Sequence, residues 1–422
     1  MDERGPRLAI LWIVSPIEPR RPVPPPDSEG PMDIVCFSHL KWDPRLFQRP
    51  QQVMSRLARR HRVLYVKQLA PKDLLENRSI GRVHEVESGV KLFEPVMPPS
   101  VVERIGGGRW ASEAFLRLRV RRLLRSLGFR DFVLWNYHPD YAHTVGRMGE
   151  KLAVYDCMDD HKTFMDGRHG VAENEVTLLE GSRVVYAGGL KMRADRLRYQ
   201  PEIHFFPCGV EIAHFVSAFS SEPRPVGTPV GEDAPEDLRG LKSPILGYWG
   251  AVDRRLDWEL IEAMARARRA WSIVLLGPRV KLPESELKGV LSRNPNIHWL
   301  GARKYADLPA YAREWDGCLM PWVEGGDAES INPTKTLEYL ATGRPVISTR
   351  IHDMVAQYDP PTVHLATGAT DFVAAVERAL AEDSQGVRQT RLKLTEGNTW
   401  EAMVDGMEAR LEAALGPEFV RG

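Results

Sequence analysis

From Asp33 onward, short β-rich apolar runs alternate with helical stretches, and the alternation occurs twice, on either side of a Pro-, Ser-, Gly- and acid-rich stretch at 216–242. Such alternation builds parallel sheet covered by helices, because two parallel neighbours must be joined by a crossover. The first series predicts strands at Ile34–Ser38, Arg62–Val66, Asp131–Trp135, Lys151–Tyr155, Arg183–Ala187 and His204–Pro207, with a helix over Gln51–Arg60. The second predicts strands at Ile245–Trp249, Ser272–Leu276, Ile297–Leu300 and Cys318–Pro321, with helices over Trp258–Ala267 and Asp307–Arg313. A chain of 422 residues exceeds what one core serves, so two α/β domains follow. Ligands of doubly wound sheets sit at the C-terminal strand ends, which makes the cleft between the halves the expected site.

Charge balances at zero, with 57 basic and 57 acidic residues, so nothing draws the whole molecule to nucleic acid. The basic charge is uneven. Arg109, Arg117, Arg119, Arg121, Arg122 and Arg125 are interleaved with Phe115, Leu116, Val120, Leu123 and Leu124, which predicts a basic amphipathic helix. It suits a solvated face or an anionic membrane surface, and both readings stand at this level. Cys36, Cys157, Cys208 and Cys318 lie far apart, without the close pairs of a zinc or redox site, so a reduced cytoplasmic protein is expected. The apolar run Leu8–Val14 is too short to span a bilayer and precedes a Pro-rich stretch, which makes residues 1–31 an expected appendage or a mis-assigned start.

Three constellations carry chemistry. The string Asn332-Pro333-Thr334-Lys335-Thr336-Leu337-Glu338-Tyr339-Leu340-Ala341 reads as a loop entering a short helix, with Lys335 and Glu338 a turn apart before a Gly-containing turn and a buried strand. A helix start favours anions, Pro333 suits the first turn, and Lys335 adds a cation where a diphosphate would lie; Glu338 then reaches toward ribose hydroxyls. After the second domain's first strand, Gly250 lets backbone approach phosphate, with Arg254 and Arg255 to meet its charge. The first domain offers His39, Trp42 and Arg49 after its first strand, His138 after the third, and Asp156 and Asp159 of Tyr155-Asp156-Cys157-Met158-Asp159-Asp160-His161 after the fourth. Carboxylates that close together need partners, and a helix N-cap accounts for at least one.

The Asn-Pro-x-Lys-x-x-Glu-Tyr-Leu-Ala-x-Gly-x-Pro-Val string resembles the donor-binding segment of GT-B glycosyltransferases, in a bacterial branch related to retaining, family-4-like enzymes of surface-polysaccharide synthesis. Cys208-Gly209-Val210-Glu211-x-x-His214-Phe215 resembles the turn closing the first domain of that superfamily, and Trp42-x5-Gln48-Arg49-Pro50 the branch's opening loop. The resemblance implies two Rossmann-like doubly wound parallel-sheet domains facing a central cleft. Its expected layout is an acceptor domain at 32–215, a linker at 216–242, a donor domain at 243–397 and a terminal helix at 398–422 that packs either on its own domain or back on the first.

The implied activity is transfer of a sugar from a nucleoside-diphosphate sugar to a glycan or glycolipid acceptor, retaining and without metal or other cofactor. Peripheral contact with the inner membrane face is a further expectation. Lys335, Arg254, Asp156 and Asp159 are then the catalytic candidates, and His39, Trp42, Arg49 and His138 the acceptor contacts. The donor contacts are Gly250, Arg255, Gly277, Pro278, Arg303, Asn332, Pro333, Thr334, Thr336 and Glu338. The chain departs from the family pattern twice: Leu256-Asp257 stands where Lys-Gly is usual, and Ser330 stands eight positions before Glu338 where a Glu is usual. Both departures move weight onto Lys335. A nucleotide-sugar epimerase of the same fold and a non-catalytic sugar-nucleotide-binding subunit are the competing readings.

Overall fold

The computed structural model describes residues 31–43, 47–67, 81–95, 108–161, 170–219 and 225–416. The expectations for residues 1–30 and the side chain of Arg109 lie outside the described residues. The first sheet has eight described strands: β1 Asp33–Phe37, β2 Arg62–Val66, β3 Val83–Glu85, β4 Lys91–Phe93, β5 Val133–Asn136, β6 Leu152–Cys157, β7 Val184–Ala187 and β8 Ile203–Phe205. Their order is β3-β4-β2-β1-β5-β6-β7-β8, parallel except for the β3–β4 hairpin at one edge. That hairpin has strands of three residues, and although Leu92 and Phe93 of β4 are buried, neither strand is long enough to leave an apolar run in the sequence.

The second sheet contains β9 Ile245–Trp249, β10 Ser272–Leu276, β11 Ile297–Gly301, β12 Gly317–Met320, β13 Val346–Thr349 and β14 Val363–Ala366, in the order β11-β10-β9-β12-β13-β14. All its pairings are parallel, and the order reverses direction beside β9, which opens a crevice at the carboxyl ends of β9 and β12. The central strands are buried along their whole length, which is why they read as continuous apolar runs rather than alternating ones.

Helices cover both sheets. On the first sit α1 Arg49–Leu57, α2 Gly108–Ser126, α3 Val171–Gly181 and α4 Leu190–Arg196. Helix α1 starts where Pro50 suits its first turn and where Gln48 and Gln51 cap each other reciprocally. Then come α5 Ile212–Phe219, α6 Trp258–Ala267, α7 Glu284–Arg293, α8 Leu308–Arg313, α9 Lys335–Ala341, α10 His352–Gln357, α11 Gly368–Ala381, α12 Gln385–Glu396 and α13 Trp400–Leu415. Helix α5 runs into the stretch that composition marks as linker, and its Phe215 and Ala218 join the second core together with Val230, Ala234 and Leu238. The stretch is therefore stitched to the second domain by isolated apolar residues too sparse to show a period.

Helix α13 crosses back to the first sheet. Its Trp400, Met403, Val404, Met407 and Leu411 share a core with Ile34, Val63, Trp135 and Tyr186. Tyr186 Oη donates to the Met407 carbonyl at 2.8 Å, and Arg56 binds Glu401 at 2.9 Å. A Cβ on Gly209 would lie 2.4 Å from the Trp400 nitrogen, so the chain reaches the first domain by passing flush against the turn that leaves it.

Candidate active site

The donor-side wall is built at the ends of β9 and β10. Gly250 and Gly277 have φ of 139° and 146°, a region that side chains other than glycine rarely enter. A Cβ on Gly277 would lie 1.7 Å from the Gly250 carbonyl oxygen, and one on Gly250 would lie 2.2 Å from Lys335 Cε. The two strand-end turns and the start of α9 are thus in contact through bare backbone. The Gly250 amide donates to the Leu276 carbonyl at 2.8 Å, and the Gly277 carbonyl accepts from Trp299 Nε1 at 3.0 Å.

Lys335 stands at that crossing. Its ammonium lies 5.8 Å from the Tyr248 ring centroid and 5.5 Å from that of Trp322, a cation held over two aromatic faces. It makes no ion pair among the described residues. Burial lowers its pKa below the usual lysine range; Glu338 and Asp253 pull it back up, and Arg255 pushes it further down. One turn on, Glu338 accepts from Trp249 Nε1 at 2.8 Å through Oε2, while the Trp249 amide donates to Tyr339 Oη at 2.9 Å. Burial raises the Glu338 pKa, against the Trp249 hydrogen bond and the Lys335 charge.

Of the two arginines after β9, Arg255 faces the cleft and Arg254 is exposed. Asp253 holds Arg255 through Nη2 at 2.6 Å, and the guanidinium lies 5.9 Å from the Trp322 ring centroid. Arg255 also interacts electrostatically with Asp159 of the first domain.

Four other expected donor contacts are occupied elsewhere. Thr336 is fully buried with its hydroxyl against the Met320 and Met354 sulfurs, inside the second core. Arg303 is bound to Asp237 of the linker and to Tyr311 Oη at 2.6 Å, which fastens the linker to the second domain. Asn332 Nδ2 donates to the Gly188 carbonyl of the first domain at 2.9 Å. The Pro278 carbonyl accepts from the Val252 amide at 2.9 Å, joining the two strand-end turns. Pro333 is buried, and Thr334 precedes α9 without a side-chain cap.

On the acceptor side, β1, β5 and β6 deliver three imidazoles to one place. The His39 ring lies 4.5 Å from His138 and 5.5 Å from His161, and His138 and His161 are 4.4 Å apart. The His138 Nδ1 accepts from the Asp140 amide at 3.1 Å, and His161 Nε2 bonds the Tyr137 carbonyl at 3.2 Å. A carbonyl only accepts, so His161 carries its proton on Nε2. Burial pushes the His39 pKa down to about 3, helped by the His161 and Lys67 charges, so all but strongly acidic solutions leave it neutral. His161 follows strand β6 within the acidic string, and only its neighbours' carboxylates drew notice in the sequence; a histidine one residue beyond a carboxylate cluster gives no signal that it will meet two others from distant strands.

The carboxylates divide. Asp156 is fully buried and bound by Arg49, Nε to Oδ1 at 3.0 Å and Nη2 to Oδ1 at 2.9 Å, while Arg49 Nη1 donates to the Phe206 carbonyl at 2.6 Å. Asp156 and Arg49 are thus paired in the interior of the first domain. Trp42, 9 % exposed, packs edge-on against Tyr65 at 5.1 Å and anchors its loop to the core. Asp159 differs. Burial raises its pKa, and the nearby His161 and Arg255 charges oppose the rise. Asp160 is held by Arg196 at 3.1 Å and by Ser330 Oγ, which donates to Oδ2 at 2.8 Å. Among the described residues no group of His, Cys, Asp and Glu side chains is placed to hold a metal ion.

The walls meet through bonds that cross between domains. Besides the Ser330–Asp160 and Asn332–Gly188 pairs, Asp353 of α10 accepts from the Leu190 and Lys191 amides at 2.7 and 2.9 Å, capping α4 of the first domain. His214 stacks on Tyr305 at 4.4 Å where the linker begins. Lys335, Arg255 and Asp159 are thereby enclosed in one cleft, with the imidazole group on its first-domain side.

Residues 243–382 match the family described as "Glycosyl transferases group 1". The putative teichuronic acid biosynthesis glycosyltransferase TuaH of Bacillus subtilis (strain 168) is 22 % identical over 340 residues, covering 76 % of this chain and 82 % of that protein. Among solved structures, Anabaena HepE in complex with UDP and glucose superposes with a TM-score of 0.64 at 12 % identity, over 90 % of this chain and 99 % of that one. A UDP-forming α,α-trehalose-phosphate synthase from Burkholderia vietnamiensis gives 0.64 at 14 %, over 92 % and 98 %. The catalytic domain of Arabidopsis thaliana starch synthase IV, bound to ADP and acarbose, gives 0.62 at 12 %, over 92 % and 100 %. The two-sheet architecture is that of the GT-B fold.

Proposed function

The chain is a glycosyltransferase of the GT-B fold, and from that premise we propose that it moves a sugar from a nucleoside-diphosphate sugar to a glycan or glycolipid acceptor of a cell-surface polysaccharide, with retention and without a metal. The observation that carries this reading is Lys335, an ammonium without an ion-pair partner among the described residues, seated over two aromatic rings at a crossing of bare backbone. A departing diphosphate develops charge as the glycosidic bond stretches, and a preorganised cation in a dry cleft stabilises that charge more than it stabilises the intact donor. Arg255 adds a second cation held in place by Asp253. Glu338, held by the Trp249 indole, takes the ribose hydroxyls in this reading. Across the cleft, Asp159 and the cluster of His39, His138 and His161 serve the sugar or the acceptor hydroxyl. HepE, solved with UDP-glucose, makes a UDP-sugar the first donor to try.

Protein cations supply the stabilisation that a metal would otherwise give, so a chelator is expected to leave turnover intact; loss of activity that returns with Mg²⁺ or Mn²⁺ overturns the metal-free part. Proton NMR of the first product formed reports the anomeric configuration. The central test is Lys335→Ala in a transfer assay with UDP-, GDP-, ADP- and dTDP-sugars chosen by thermal shift. Removing one preorganised donor of this kind costs roughly 100- to 1,000-fold in turnover. Retained turnover by a folded K335A protein removes the site assignment. Release of nucleoside diphosphate only when acceptor is present separates transfer from epimerisation.

A further inference from the structure

Trp249 ends strand β9 and is 4 % exposed, wedged among three aromatic rings. Phe215 of α5 lies nearly parallel to it, 5.5 Å away at 12°. Tyr339 crosses it at 4.4 Å and 63°, and Trp315 backs it at 5.0 Å. Its backbone is tied as well, since the Trp249 amide donates to Tyr339 Oη at 2.9 Å. An indole packed in this way has one orientation, so its Nε1 proton has one direction in which to point. That direction is the Glu338 carboxylate, where Nε1 donates to Oε2 at 2.8 Å.

A buried indole N–H needs an acceptor, and a charged oxygen makes a strong one. The bond draws the Glu338 side chain against the end of β9 and takes up Oε2. Oε1 carries no hydrogen bond among the described residues, and Glu338 is half-buried, so Oε1 is the oxygen left to a ligand. Four other polar groups surround the carboxylate: Lys335 on the same helix, Glu211 and His214 at the entry to α5, and Tyr305 after β11. Burial favours the neutral acid, joined by the Glu211 charge; the Trp249 bond, Lys335 and His214 favour the carboxylate.

We propose that Trp249 is a positioning residue for the donor: its indole clamps Oε2 so that Glu338 presents Oε1 to a ribose hydroxyl. The inference rests on the reading of Glu338 as the ribose contact, and it gives Trp249 a role exercised through Glu338 rather than on the ligand. It also links the ribose site to the segment that leaves the first domain, because Phe215 braces the indole from α5.

The test titrates the full chain with whichever of UDP, GDP, ADP and dTDP binds most tightly, set against the same nucleotide without its sugar hydroxyls. The parent should prefer the hydroxylated form by roughly ten- to a hundredfold, as hydroxyls bonded to a charged oxygen imply. Trp249→Phe should lower that ratio about fivefold. Both ligands carry the same diphosphate, so its own titration cancels from the ratio at every pH. In the parent the ratio falls as acid neutralises Glu338, and in Trp249→Phe the fall should begin at a higher pH, because a bond that favours the carboxylate is gone. Lost packing alone would weaken both ligands equally and leave the ratio and its pH profile unmoved. Should Trp249→Phe fail to fold, 3-benzothienylalanine in place of Trp249 keeps the ring shape, exchanges the N–H for sulfur and should give the same result. Lys335→Ala should weaken both ligands without changing their ratio. A parent that prefers the hydroxylated form, with ratio and profile unchanged in the Trp249 variant, overturns the role of Trp249 alone. A parent that binds both forms equally, or binds none of the four nucleotides, removes the reading of Glu338 and this inference with it.

Discussion

A single added carbon at Gly277 would place a methyl 1.7 Å from the Gly250 carbonyl oxygen, and the backbone there has a φ of 146°. Neither a rotamer change nor a side-chain shift relieves a clash with backbone. Gly277→Ala is therefore expected to cost roughly 1–3 kcal/mol of stability and to separate the Gly250 turn from Lys335. Denaturant unfolding should show the loss, and a nucleotide titration should show weaker donor binding; unchanged values for both would mean that the two turns do not need their contact. His39 carries a different kind of prediction. Its folded pKa of about 3 lies below the ordinary 6.5 because burial and the His161 and Lys67 charges disfavour the imidazolium, with His138 packed against the same ring. Between those two values the unfolded chain binds a proton at His39 that the folded chain does not. Stability is therefore complete above pH 6.5 and declines as pH falls through the window, by at most about 1.4 kcal/mol per pH unit from this group. His39→Gln should flatten the acid side of a thermal-midpoint profile, and a profile as steep as the parent's would assign the slope to other groups.

At the scale of elements, α13 ties the end of the chain to the first domain. Met407 is fully buried beneath it, so Met407→Ala should cost about 2–5 kcal/mol by loss of transfer energy and residual cavity. The loss should appear as a lower unfolding midpoint of the first domain, and an effect limited to the second domain would contradict the packing. Helix α13 also shows what a linear sequence reveals. It falls within the terminal helix expected at 398–422, and Ile245–Trp249, Ser272–Leu276 and Trp258–Ala267 are the spans predicted from sequence, because burial of one face leaves an i+4 or continuous apolar record. Which domain receives the helix leaves no such record; it depends on Tyr186, Arg56 and Arg60 reaching it from far away in the chain. The site follows the same division. Lys335 and Glu338 share a face of α9, as their three-residue spacing predicts. Thr336 lies between them on the opposite face, in the core, and Asp156 and Arg49 are separated by 107 positions before they pair. The Arg303 partner, Asp237, left no trace because it stands in a stretch with no predicted structure. Charged residues beside glycine turns are ambiguous until their partners are located, since a buried pair and a ligand pair have the same composition.

At the scale of the molecule, four bonds among the described residues draw the two domains together on one side of the cleft. Asp353 takes the Leu190 and Lys191 amides at the start of α4, Asn332 takes the Gly188 carbonyl, and Ser330 takes Asp160. Residues 330 and 332 immediately precede Lys335, so closing the domains and setting the start of α9 are one event. A carboxylate bound to two backbone amides is charge-assisted and contributes about 1.5–3 kcal/mol per bond, most of it available only when the domains are closed. Asp353→Ala should then shift the resting molecule toward an open arrangement, with each sheet intact. Small-angle scattering without ligand should give a larger radius of gyration for the variant, and saturating donor should bring it back toward the parent's value. Donor KM should rise in the same protein, because part of the binding energy is diverted to closure. Scattering and KM equal to the parent's would mean that the Asn332 and Ser330 bonds hold the cleft closed unaided, and the paired variant Asp353→Ala/Asn332→Ala would then open it.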